Sequence, residues 1–125
     1  MRKSGKNILI VDDENLITSL YQEFLNHYGF HSTVCEDGAI ALSTFEEAKG
    51  AFDLVITDQT MPKMTGTELS SALLERAPSL PIILLTGVRK ELFSESMNNI
   101  GIKHILQKPV SLLTLKEVID TCLAS

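Results

Sequence analysis

The sequence predicts an α/β domain built on one parallel, doubly wound β-sheet with helices on both faces. Three observations carry this reading. Five short apolar runs alternate with five helical patterns along 125 residues, and such alternation gives parallel strands joined by right-handed crossovers. Three of the runs are nearly continuous in Ile, Leu and Val, as strands covered on both faces should be. Four of the five runs end in polar groups whose chemistries complement one another.

The first run, NILIV at 7–11, opens the chain after a basic tail at 1–6 and ends in Asp12-Asp13-Glu14. A helix follows: Ile17, Leu20, Tyr21, Phe24 and Tyr28 recur at helical spacing as one apolar stripe, and Gly29 is its stop. The second run, HSTVC at 31–35, is weakly apolar and belongs at a sheet edge. It passes through Glu36-Asp37-Gly38 into a shorter helix with Ala41, Leu42, Phe45 and Ala48 inward. The third run, DLVIT at 53–57, delivers Asp58. Thr65 and Glu68 then form a capping box for a helix that buries Leu69, Ala72 and Leu73. The fourth run, PIILLT at 81–86, ends in Thr86-Gly87. A weaker helical set, Phe93, Met97 and Ile100, closes at Gly101. The fifth run, HILQ at 104–107, is a second edge strand and leads into Lys108-Pro109. Ser111 caps the last helix, which carries Leu112, Leu115, Ile119 and Cys122 inward. That helix reaches almost to Ser125, so residues 1–125 are expected to be a single domain with no output domain.

Bulk properties narrow the function. At this length folding buries roughly two thirds of the unfolded chain's surface, so no disulfide or metal staple is required. Net charge is −5, which argues against direct nucleic-acid contact, since that usually needs a basic surface. Cys35 and Cys122 lie far apart and match no metal spacing, so both are expected to be free thiols. No apolar run approaches the roughly 18 residues of a membrane span. A cytoplasmic protein is expected.

In open α/β sheets, ligands bind beyond the carboxyl ends of the strands. Those ends deliver Asp12, Asp13, Asp58, Thr86 and Lys108. Each residue alone has a plainer reading: Asp12 and Asp13 as helix-start acids, Asp58 and Thr86 as turn residues, Lys108 as a surface cation before a helix-starting proline. Their joint placement at strand ends overrides these readings. Gathered carboxylates repel, and a hard divalent cation with oxygen ligands relieves the repulsion. A carboxylate, a divalent cation, an ammonium and a hydroxyl together suit phosphoryl transfer onto the carboxylate. Met61 and Met64 read as loop packing, and His27, His31 and His104 as surface or edge residues. His104 is of interest only as the neighbour of Ile105.

This set resembles the receiver domains of two-component response regulators. The likeness runs through ILIVDDE (8–14), DLVITDQTMPKMTG (53–66), LLTG (84–87) and QKPV (107–110). The resemblance implies a flavodoxin-like (βα)5 fold with strand order 2-1-3-4-5. It implies Asp58 as phosphoacceptor. It implies Mg2+ (or Mn2+) held by Asp13 and Asp58, by the backbone carbonyl of Thr60, and by Asp12 through water. Thr86 and Lys108 would hold the phosphoryl group, and Lys108-Pro109 would be cis. The phosphoryl donor would be a sensor histidine kinase or a histidine phosphotransfer protein. The output partner is unspecified, and the face of the fourth helix, fifth strand and fifth helix would change. The setting is either a free-standing regulator or the receiver of a hybrid histidine kinase, with DLVITDQTMPKMTG and KPVSLLTLKEVI leaning toward the latter.

Two positions depart from the family. Ile105 stands where a switching aromatic is usual, so Thr86 has no ring to move with it. Val88, two residues after Thr86, offers no polar group to guide water, which predicts slow loss of the phosphoryl group. Other functions fit less well. A phosphatase of the haloacid-dehalogenase type needs a second Asp where Thr60 stands, so turnover of an external substrate is not expected. A phosphorylation-independent module would not need the complete acceptor set. A flavin carrier would want a neutral phosphate loop where Asp12-Asp13-Glu14 stands.

Overall fold

A computed structural model describes residues 5–89 and 94–124. Five strands, β1 (Asn7–Val11), β2 (His31–Cys35), β3 (Leu54–Asp58), β4 (Ile82–Thr86) and β5 (His104–Gln107), alternate with α1 (Asn15–His27), α2 (Gly38–Ala48), α3 (Gly66–Arg76), α4 (Ser94–Ile100) and α5 (Leu112–Leu123). All pairings are parallel and the order is β2-β1-β3-β4-β5. The two weakly apolar strands do lie at the edges.

Strand residues alternate between two apolar layers, as the period of two requires. Ile8, Ile10, Leu54, Ile56, Ile83 and Leu85 face α1 and α5, meeting Tyr21, Leu25, Leu115 and Ile119. Leu9, Val11, Val55 and Ile82 face α2 and α3, meeting Ala41, Phe45, Leu69 and Leu73. A third, smaller cluster joins Leu84, Met97 and Ile102 beneath α4, with Ile105 packed against it. Each fully buried Ile or Leu contributes about 1.5–3 kcal/mol, so the three central strands hold the sheet rigid.

Local signals act as the sequence predicts. The Thr65–Glu68 capping box forms, with Glu68 N–H on Thr65 Oγ1 at 3.1 Å and Thr65 N–H on Glu68 Oε1 at 2.9 Å. Ser111 accepts Thr114 N–H at 3.1 Å. Gly29 and Gly101 take positive φ after α1 and α4. The Lys108–Pro109 bond is cis, as the family resemblance and not any local signal implies.

Two expectations need adjustment. The α1 stripe is not one buried face: Leu20 is 49% and Tyr28 39% exposed, whereas Thr18, Tyr21 and Leu25 are buried. The helix sits on the sheet through Tyr21 and Leu25, which turns Leu20 outward. Tyr28 instead lies on the α5 side, under Lys116 Nζ at 4.5 Å from its ring centre. β3 begins at Leu54 rather than Asp53, whose carboxylate accepts the N–H of Asn7 at 2.8 Å. Phe93, most of the basic tail and Ser125 fall outside the described residues.

Candidate phosphoacceptor site

Three strand ends and one following loop meet at the carboxyl edge of the sheet. β1 changes direction of traffic there, with β2 on one side and β3 on the other. Such a switch point leaves a crevice between the loops. Asp12 leaves β1 buried, at 2% exposure, and Asp58 closes β3 at 6%. Asp13 is exposed. One carboxylate oxygen from each of the three lies within 4.8 Å of the others.

Asp12 shows the strain of that arrangement. Its Oδ1 accepts the N–H of Glu14 at 3.0 Å, so Asp12 steadies the turn into α1 without being the helix cap, which is Glu14. Its Oδ2 is buried and has no hydrogen-bond partner. Burial pushes its pKa up, and the charge of Asp58 adds to this, against the Glu14 N–H and Lys108, which lower it. A buried carboxylate oxygen without a hydrogen bond, beside two further carboxylates, is a donor set that fits a hard divalent cation.

Lys108 follows β5 and reaches across the sheet edge. Its Nζ lies 2.9 Å from Asp58 Oδ1, and 4.0 Å from both Asp12 Oδ2 and Glu14 Oε1. Burial pulls the ammonium's pKa down, but the hydrogen bond and charge of Asp58, joined by Asp12 and Glu14, outweigh it. The net shift is upward, so Lys108 is charged at neutral pH. Its backbone N–H donates to the carbonyl of Thr86 at 2.7 Å, which locks the β4 and β5 ends together.

Thr86 is 2% exposed, and its Oγ1 accepts the N–H of Val88 at 3.1 Å. That leaves the hydroxyl proton to donate elsewhere. Val88 is 51% exposed at the mouth. Thr60 is exposed, two residues beyond Asp58 in the β3–α3 loop. Ile105 pairs with Leu84, two residues before Thr86 on β4, and is half-buried. His104 begins β5 and lies at the opposite end of the sheet from Asp58, beside Cys122 and Lys103.

The structure adds residues that the sequence reading missed. Glu14 is a further partner of Lys108. Tyr21 lines a cavity of about 380 Å³ beside Lys108, with Ile17, Leu20, Pro109 and Leu112. Burial raises the Tyr21 phenol's pKa, opposed by Lys108 and reinforced by Asp12, Asp58 and Glu14. Helical periodicity marked Tyr21 only as apolar. Gly66 packs so close to Asp58 that an added Cβ would overlap its carbonyl oxygen and lie 2.7 Å from Leu84 Cδ1.

Known proteins share the fold. A family model described as response regulator receiver domain matches residues 8–120. The chain is 34% identical over 116 residues to chemotaxis protein CheY-3 of Vibrio cholerae, covering 90% of this chain and 88% of that one. It is 32% identical over 122 residues to the regulator of RpoS of Escherichia coli, covering 95% of this chain but 35% of that protein. It thus spans about a third of the length of that relative. The structure of response regulator TrrA from Thermotoga maritima, in complex with Mg2+–BeF, superposes with a TM-score of 0.83 at 32% identity, covering 94% of this chain and 99% of that one.

Proposed function

The chain belongs to the response regulator receiver domain family of two-component signalling, and from that premise we propose that it takes a phosphoryl group from a phosphohistidine onto Asp58. The observation that carries the proposal is the pairing of Lys108 Nζ with Asp58 Oδ1 at 2.9 Å inside the Asp12–Asp13–Asp58 cluster. The donor is a sensor histidine kinase or a histidine phosphotransfer protein.

In the reaction a carboxylate oxygen of Asp58 attacks phosphorus. The new P–O bond forms as the P–N bond to the donor imidazole breaks, and the imidazole leaves with that electron pair. β3 keeps the attacking carboxylate fixed, which removes orientational freedom before the encounter. Lys108 holds Asp58 in place and offsets charge on the equatorial oxygens, and Thr86 donates its hydroxyl proton to one of them. Asp13, Asp58 and the Thr60 carbonyl would hold Mg2+ or Mn2+, with Asp12 acting through water, and the ion would neutralise phosphoryl charge when bound. No side chain at position 60 can act as a second acid, so the chain is a phosphorylated switch and not an enzyme that turns over an external substrate. Among the described residues no helix is long and apolar enough to cross a membrane.

Intact mass after incubation with Mg2+ and acetyl phosphate tests this. One added phosphoryl group on the wild type, absent from Asp58→Asn, is the expected result. Lack of an adduct with any donor would leave a phosphorylation-independent interaction module, and continuous phosphate release from unrelated esters would indicate a phosphatase.

A further inference from the structure

Gln59, the residue after the acceptor, is held from several sides. Its N–H donates to the carbonyl of Leu85 at 2.8 Å, one residue before Thr86. Its own carbonyl accepts the N–H of Gly66 at 2.9 Å. Its side-chain Oε1 accepts both the N–H and the hydroxyl of Thr67, each at 2.8 Å. The same Thr67 hydroxyl lies 3.5 Å from Sδ of Met97 in α4.

A threonine hydroxyl carries one proton. It can point at Gln59 Oε1 or at Met97 Sδ, but not at both. Gln59 Oε1 is not orphaned when the hydroxyl turns away, because the Thr67 N–H stays on it. The two arrangements therefore exchange one neutral hydrogen bond for another, weaker one to sulfur. That is a two-state element with a small gap, which is what a coupling path needs physically.

Its ends sit in informative places. Gln59 is joined by a peptide bond to Asp58, and its N–H is tied beside Thr86. Met97 is 6% exposed and belongs to the small cluster with Leu84, Ile102 and Ile105. Ile105 offers that cluster packing alone, with no ring or hydroxyl to swing.

We infer that Gln59, Thr67 and Met97 form a hydrogen-bond relay that carries the charge state of Asp58 to α4, bypassing position 105. The inference rests on the phosphoacceptor reading above. Gln59 and Thr67 are positioning residues, since neither is among the groups assigned above to hold the phosphoryl group. When the Asp58–Gln59 segment shifts, the 2.8 Å contact to the Thr67 hydroxyl weakens and the proton turns to Met97, which moves α4 over Leu84 and Ile105.

The methyl resonance of Met97, in protein labelled at the methionine methyls and assigned with Met97→Leu, reads the far end of the relay. Loading with acetyl phosphate is followed separately by intact mass, and the resonance is recorded before and after addition of Mg2+ and beryllium fluoride. Wild type and Thr67→Ser, which keeps the hydroxyl, are expected to show the same displacement. Thr67→Val is expected to show less than half of it while still gaining the phosphoryl mass. Gln59→Met, which removes Oε1 without changing side-chain length, should match Thr67→Val and serves if that variant does not fold. A full displacement in either variant, or a wild type that loads with Met97 unmoved, overturns the relay. A wild type that gains no mass overturns the phosphoacceptor reading itself, and the relay falls with it.

Discussion

At Asp12, burial works against ionisation. The carboxyl's pKa is raised from 3.8, first by burial, with Asp58 adding repulsion. A carboxyl whose folded pKa exceeds its unfolded value binds its proton more tightly in the native state. Its ionisation therefore costs stability at neutral pH, and the cost disappears as pH falls through the raised pKa toward 3.8. Asp12→Asn removes that cost while keeping an acceptor for the Glu14 N–H. In metal-free buffer at pH 7 the variant is expected to be more stable than wild type in urea unfolding, with a higher midpoint. The difference should shrink as pH is lowered, because wild-type Asp12 then becomes neutral as well. A wild type that is the more stable of the two without metal at pH 7 would contradict this account.

The β3–α3 connection shows how an element aims a side chain. Leu54, Val55 and Ile56 are 0–1% exposed and fix β3 along its length. The Thr65–Glu68 capping box then starts α3 at Gly66, whose N–H returns to Gln59. A Cβ at Gly66 would overlap the Asp58 carbonyl and crowd Leu84. Overpacking of this kind typically costs about 2 kcal/mol, and here it would also displace the backbone that carries Asp58. Gly66→Ala should lower the unfolding midpoint accordingly and slow adduct formation from acetyl phosphate. Gly87→Ala is the control for stability, since a Cβ there meets nothing within 4 Å. Equal midpoints for Gly66→Ala and wild type would remove the steric argument.

Across the whole molecule, the sheet converts separate stretches of chain into one site. Asp12, Asp58 and Lys108 are distant in sequence, yet the parallel register places their strand ends at one edge. Repulsion stored there links the site to global stability: a cation that binds the native cluster, and not the unfolded chain, stabilises by mass action. At a Mg2+ concentration tenfold above its dissociation constant the gain is about 1.4 kcal/mol, or about 5 °C in midpoint for a domain of this size. A thermal scan with and without Mg2+ should show it in wild type and show little of it in Asp58→Asn. Identical midpoints for wild type across a Mg2+ titration would argue that the cluster holds no cation.

By itself the sequence determined the alternation of strands and helices, the edge positions of β2 and β5, the caps at Thr65 and Ser111, and the polar groups at four of the five strand ends. These follow from period, apolar content and cap chemistry, which are local and therefore written along the chain. Only tertiary structure decided that Leu20 and Tyr28 face outward, because the docking angle of α1 depends on the sheet and on α5. It also decided that Asp12 Oδ2 is left without a hydrogen-bond partner, that Lys108 reaches Asp58 at 2.9 Å, and that Gln59 meets Thr67 beside Met97. Such contacts join residues from separate elements, and their distances are set by how those elements pack. A single sequence carries no signal of fixed spacing for them.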